Sequence, residues 1–310
     1  MRIVSIGEVL WDVMGDQEFL GGAPLNFSVS SRRLGNDVAF ISAVGADQRG
    51  ALAIQSIEAL GLSPKFIRVM PEQETGTAIV TTDKSGNATF VIKRPVAFDF
   101  LNIEDSRLSD LAVRDPDWIY FGTLAQTSAR NEALLHRLVA GSPNSGRFYD
   151  VNLREGHWNP ELVQRLSGLA SIIKLNESEA ETLFCLSCGS EQFSPEKFCG
   201  YWSRIYGAKV ICITLGEHGC AIWSHDGLQS SKGYPVKTVD TVGAGDAFSA
   251  AFLQGVQLGW PMERTASFAN ALGAIVAGRA GAIPSWTLEE CLEVMEFSRS
   301  DTKNRTDALH

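Results

Sequence analysis

Asp246 follows Gly243-Ala244-Gly245 directly, within Asp240-Thr-Val-Gly-Ala-Gly-Asp-Ala-Phe-Ser-Ala-Ala-Phe252. Side chains this small let backbone amides approach a ligand closely. Phe248, Ala251, Phe252, Gly255 and Val256 follow at helical spacing, which predicts that the glycines open a helix. The unpaired amides and the dipole at such an end favour negative charge, such as a phosphoryl group in transit. A carboxylate in the first turn can then take the proton of an attacking hydroxyl. A plain capping acid in a glycine turn has the same local sequence, so the flanks must decide. The chain has no Gly-x-x-x-x-Gly-Lys-[Ser/Thr] loop and no protein-kinase signature set, so any phosphoryl transfer rests on this turn.

The elements around it alternate. Strands are expected at Arg2–Ile6, Val38–Val44, Trp118–Phe121, Arg147–Val151, Ser171–Leu175, Val210–Thr214 and Cys220–Trp223. Several are apolar throughout, as strands covered on both faces are. Helices are expected at Pro24–Leu34, Ala51–Leu60, Ala129–Ala140, Glu177–Phe184, Pro195–Tyr206, Ala244–Leu258, Met262–Ala277 and Leu288–Phe297. This order predicts an α/β fold with a doubly wound, mostly parallel sheet. Thr75–Pro95 breaks the rhythm with two β-rich runs around the turn Asp83-Lys-Ser-Gly86. With a further strand in Trp11–Leu20, it predicts a small β-sheet lid.

The net charge of −9 argues against a nucleic-acid partner, and no stretch approaches the ~20 apolar residues of a membrane span. The opening Met1-Arg-Ile-Val-Ser-Ile-Gly7 reads as a strand and not as a signal peptide. Six scattered cysteines fit reduced thiols and a cytoplasmic location. Cys185, Cys188 and Cys199 lack a fourth ligand at zinc spacing.

With both flanks read, the sequence resembles the PfkB (ribokinase-like) family of carbohydrate kinases along nearly its whole length. The C-terminal signature matches Asp240–Ala251. The N-terminal one matches Gly21-Gly-Ala-Pro-Leu-Asn-Phe-Ser28, followed by Gly35 and Gly45, about 220 residues earlier. The resemblance implies one ribokinase-like domain over 1–310, with lid strands inserted at about 11–22 and 74–98. It implies Asp246 as base and the amides of Gly243, Ala244 and Gly245 as anion hole. Asp12, Gly21, Gly22 and Asn26 would hold the sugar. Asn176-Glu-Ser-Glu179 matches a motif that orders Mg²⁺ through water, although an N-cap with a capping-box acid reads the same way. Thr214, Gly216, Gly219 and Asn270 match the ATP side. Asp240, Val242, Val276, Arg279, Gly281 and Ser285 match positions around a candidate K⁺. Relatives also imply a homodimer, for which exposed lid edges would serve.

Asp150-Val-Asn-Leu-Arg154, followed by Trp158, is similar to a segment of fructokinases and 2-keto-3-deoxygluconate kinases. Gly7-Glu-Val-Leu-Trp-Asp12 is similar to bacterial fructokinases. Fructose, phosphorylated at its 6-hydroxyl, is therefore the first expectation. A keto-deoxy sugar acid is the alternative, with Arg94 and Arg154 facing its carboxylate. Other sugar or nucleoside kinases share the pattern, and Phe98 is expected at the pocket edge. An inactive sugar-binding regulator is the reading outside enzymology.

Overall fold

The computed structural model describes residues 1–82, 88–104, 115–189 and 191–296. The strand β1 (Arg2–Ile6) is the inner strand on which the main sheet is built. β4 (Asp37–Gly45) and β8 (Trp118–Gly122) flank it in parallel, with Ile3 level with both Val38 and Trp118. Outside β4 lies β5 (Ile67–Met70). On the other side follow β9 (Gly146–Asp150), β10 (Ile172–Asn176) and β11 (Val210–Thr214), all parallel. Antiparallel β12 (Cys220–Ser224) and β13 (Gly227–Ser231) complete nine strands among the described residues.

Successive side chains of a strand face opposite sides, so each apolar strand feeds two cores. Ile3, Phe40, Tyr120, Phe148 and Ile172 face one, where the helices Ala23–Arg33, Ala244–Gln257 and Met262–Ala277 pack. Phe27 stacks on Tyr120 there with ring centroids 3.7 Å apart. Val4, Ile119, Phe121, Tyr149 and Ile173 face the other, beneath the helices Ala129–Gly141, Pro160–Leu169, Glu177–Cys188 and Pro195–Tyr206. Each large side chain so buried contributes about 1.5–3 kcal/mol.

A second sheet has the order β3 (Gln17–Gly21), β2 (Leu10–Met14), β6 (Gly76–Thr82), β7 (Ala88–Ile92). Phe19, Asp12, Ala78 and Ile92 share one cross-strand row, and Val13, Ile79 and Val91 the adjacent row on the opposite face. The doubly wound sheet with a small companion sheet agrees with the fold class expected.

Several elements differ from expectation. Trp11–Leu20 forms two strands, because Gly15 at φ +59° turns the chain between Met14 and Gln17. The helix Pro160–Leu169 was not anticipated, although its start is written in the sequence. Asn159 Oδ1 accepts from Leu162 N at 2.8 Å and Pro160 follows in the first turn. β5, β13 and the short helix Thr123–Gln126 were also unforeseen. The turn Asp83–Gly86 and Phe297 lie outside the described residues, and the last expected helix is described over 288–296.

Candidate active site

A cleft of about 480 Å³ runs between the small sheet and one end of the main one. That volume is ordinary for a small-molecule site. It lies at the carboxyl ends of the parallel strands, where Lys174 and Asn176 of β10 and Thr214 of β11 line it.

Its middle is the start of the helix Ala244–Gln257. Gly243, at φ +80°, turns the chain into it, and a Cβ there would run into the Ala282 carbonyl oxygen. The first-turn amides have no carbonyl of their own helix to meet. Ala244 N leans back on Thr241 O at 3.3 Å, so the open end is chiefly at Gly245 and Asp246. A Cβ on Gly245 would come within 3.2 Å of Lys174 Nζ, which places an ammonium group directly behind the turn.

Asp246 is buried at the cleft wall, and Asn26 Nδ2 donates to its Oδ2 at 2.8 Å. Burial pushes its carboxyl up to about 6. Asp150 adds to the rise, while Lys174, the Asn26 bond and Arg154 oppose it. A group held there is a carboxylate at neutral pH and still basic enough to accept a proton. Asn26 reaches it from the helix Ala23–Arg33, which packs on Ala244–Gln257. That helix starts at Gly22, whose φ of +117° and close approach to the Glu8 carbonyl exclude a side chain.

At the small-sheet end, Asp12 of β2 faces the cleft, and burial raises its carboxyl to about 6. Gly21 lies outside the lining and leaves room for it, since a Cβ would sit 2.8 Å from Asp12 Oδ2. Arg154 lines the cleft nearby, and its positive charge acts on Glu8, Asp12 and Asp246 together. Arg94 does not line it. Its guanidinium is paired with Asp99, donates to Leu124 O at 3.3 Å and stacks on Phe98. Phe98 is buried in a small apolar cluster with Leu10, Ala78 and Leu124, behind the pocket edge expected for it.

At the other end, Thr214, Gly216, Gly219 and Asn270 all line the cleft. Gly219 (φ +99°) and Gly233 let the turn after β11 lie against the end of β13, where a Cβ on either would strike backbone. Asn270 Nδ2 donates to Lys232 O at 3.1 Å, tying that end to the helix Met262–Ala277. Asn176 lines the cleft as N-cap of Glu177–Cys188. Glu179 is buried outside the lining, and its oxygens accept from Asn176 N at 2.8 Å and Leu153 N at 2.7 Å. Burial raises its carboxyl, with Lys174 opposing.

Of the candidate K⁺ positions, only Val242 reaches the cleft. Asp240 accepts from Val242 N at 3.0 Å and from Gly281 N at 3.1 Å, joining the two loops. Val276 is buried, and Arg279 donates to the Ser285 carbonyl and pairs with Glu290.

Lys174 was not singled out in the sequence. Its Nζ lies 3.1 Å from Asp150 Oδ1, and Asp150 Oδ2 also accepts from Tyr120 Oη at 3.1 Å and Ser249 Oγ at 2.9 Å. A lone lysine in the apolar run Ile172-Ile-Lys-Leu is the available signal, since such a charge is rarely buried unpaired.

The family model described as pfkB family carbohydrate kinase matches residues 3–289. Fructokinase-1 of Oryza sativa subsp. japonica is 30% identical over 291 residues, covering 89% of this chain and 88% of the relative. Fructokinase from Vibrio cholerae O395, with fructose, ADP and calcium ion bound, has a similar fold at a TM-score of 0.81 and 24% identity, covering 95% of this chain and 98% of that one. Aminoimidazole riboside kinase from Salmonella enterica, complexed with aminoimidazole riboside and an ATP analog, reaches 0.77 at 25% identity, covering 95% and 100%.

Proposed function

Since the chain belongs to the pfkB family of carbohydrate kinases, we propose that it phosphorylates D-fructose at the 6-hydroxyl at the expense of ATP, with Asp246 as general base. The observation that carries this is one buried carboxylate in the first turn of a helix, held by Asn26 in the same cleft as Asp12. Asp246 takes the hydroxyl proton as that oxygen attacks the γ-phosphorus. The open amides after Gly243 meet the charge that develops on the phosphoryl oxygens. Asp12 and Asn26 hold the sugar. The turn Thr214–Gly219 and Asn270 hold the nucleotide. The small sheet covers the acceptor and keeps water from the γ-phosphate.

Among the described residues no group of three or more His, Cys, Asp or Glu converges as a metal cage. Magnesium fits here as an ion carried by the nucleotide phosphates and water, with Glu179 ordering the surrounding amides. Potassium is the monovalent ion proposed for the loops joined through Asp240.

The charges favour a neutral acceptor over a keto-acid. Arg94 is committed to Asp99, and Arg154 faces three carboxyl groups. The Oryza sativa relative, a fructokinase, supports fructose among neutral sugars.

Coupled ATP consumption with Mg²⁺ and K⁺, against fructose, 2-keto-3-deoxygluconate, ribose and adenosine, tests this. Fructose should lead in kcat/KM, and another acceptor in front refutes the choice. Sugar binding without turnover of any would return the chain to the regulator class. The outer face of the small sheet, with Ile79 and Val91 half exposed, suits a second copy of the chain. A dimer is expected in light scattering, and a monomer at micromolar concentration would contradict it. Unpaired thiols at all six cysteines fit the cytoplasm, and no described helix is long and apolar enough to cross a membrane.

A further inference from the structure

Glu8 has no part in the chemistry above, yet it lines the cleft beside Asp12, Asn26 and Arg154. It follows β1 where the chain passes beneath Gly22, whose missing side chain allows the contact. The residue is only 4% exposed. Its Oε2 is enclosed without a hydrogen-bond partner among the described residues, and so is Oδ1 of Asn26, which also lines the cleft. A buried polar atom left unpaired is costly, so native folds rarely keep one at no purpose. Asn26 Oδ1 is an acceptor, and Glu8 Oε2 is one wherever its carboxyl is ionised, as it is above pH about 7. The missing partner is therefore a donor, and at a cleft wall it arrives with the ligand. A polyhydroxyl sugar brings several donors to such a wall, whereas an ionised carboxylate brings none.

Charge points the same way. Burial holds the Glu8 carboxyl up to about 7, with Arg154 and Arg94 pulling it down and Asp246 pushing it up. Arg154 is thus shared among Glu8, Asp12 and Asp246, and the ammonium of Lys174 is already matched by Asp150. The acceptor end of the cleft has more carboxylates than cations to answer them.

We propose that Glu8 selects the acceptor: its Oε2 takes a hydrogen bond from a hydroxyl of a neutral sugar, and its charge turns away acceptors that carry a carboxylate. This rests on the reading of the cleft as a sugar-kinase site and adds to it the residue that sets specificity. Asp246 stays the base, and Glu8 touches a hydroxyl that does not react.

The test is steady-state kinetics of the full chain and of Glu8→Gln on the four acceptors named above. Glutamine keeps the shape, removes the charge and puts an amide where the acceptor oxygen was. KM for the preferred neutral sugar should rise about tenfold or more, while kcat and KM for ATP stay within about threefold. The preference for that sugar over 2-keto-3-deoxygluconate in kcat/KM should fall about tenfold or more. An unchanged sugar KM and preference overturns the proposal. So does an equal rise in KM for ATP, which marks a purely structural role. If Glu8→Gln does not fold, Glu8→Asp carries the test, since it keeps the charge and withdraws the oxygen. Sugar KM should then rise with the preference kept, and an unchanged KM overturns the proposal. A wild type that ignores fructose but uses another neutral sugar refutes the fructose reading, and Glu8 is judged by the same split on that sugar. A wild type that prefers the keto-acid overturns the role of Glu8. Turnover of no acceptor overturns the kinase reading on which it rests.

Discussion

Asp246→Asn should make the protein inactive and more stable at once. The ordinary value of the carboxyl is 3.8, and burial with Asp150 nearby raises it to about 6 in the folded chain. Below pH 3.8 the group is protonated in both states and costs folding nothing. Between 3.8 and about 6 the folded chain holds the proton that the unfolded chain has lost, so stability declines as pH rises. Above about 6 the full difference is present, roughly 3 kcal/mol at 1.36 kcal/mol per pH unit. Asparagine removes that penalty and can still offer an oxygen to Asn26 Nδ2. Thermal unfolding at pH 8 should move upward by roughly 5 °C for a chain of this size, and the gain should vanish near pH 4. Turnover in the ATP-coupled assay should fall by about 10² to 10⁴. The residual rate should lose the rise with pH through about 6 that the wild type shows. A variant with near wild-type kcat would refute the base assignment. A variant less stable than wild type at pH 8 would refute the account of a carboxylate held against its desolvation.

Asp12→Ala should raise the sugar KM about tenfold or more and leave KM for ATP alone, and an unchanged sugar KM in the same assay removes Asp12 from the site. Gly243→Ala meets both a φ of +80° and the Ala282 carbonyl, so the turn must shift. Its kcat should drop about a hundredfold with the far-ultraviolet circular dichroism retained, and a rate within a factor of two would show that the amides there are not needed. Lys174→Met leaves Asp150 buried beside Tyr120 and Ser249 without its cation. Urea unfolding should report a loss of about 3–5 kcal/mol, partly recovered by adding Asp150→Asn, and no recovery would mean that the pair is not the cause.

What could be read from the sequence was what is local. The glycine turn, the helix after it and Asp246 in its first turn lie within a few residues, and spacing alone orders them. The apolar strands of the main sheet were legible for the same reason. Lys174 was not, because its meaning lies in Asp150, which stands beside it only once β9 and β10 pair in register. Arg94 was misread as available, since the residue that holds it, Asp99, lies five positions on in a stretch read only as pocket edge. Glu179 had two readings in the sequence, and in the structure both of its oxygens meet backbone amides. Glu8 was passed over beside Asp12, because a carboxyl that awaits a ligand leaves no local trace.

The strand order has a consequence for how the protein is made. β8 to β13 line up beside β1 in the order in which they are translated, with β4 and β5 already on the other side. Each strand leaving the ribosome can thus join an edge that already exists, so the growing sheet stays in step with synthesis. Asn26 and Asp246 are 220 residues apart, and their bond closes only when the helix after Gly243 folds onto the one that starts at Ala23. A chain stopped between Ser231 and that helix would carry all nine described strands of the main sheet and lack Asp246. The contact between Asn26 and Asp246 therefore arrives only with the last helices of the chain.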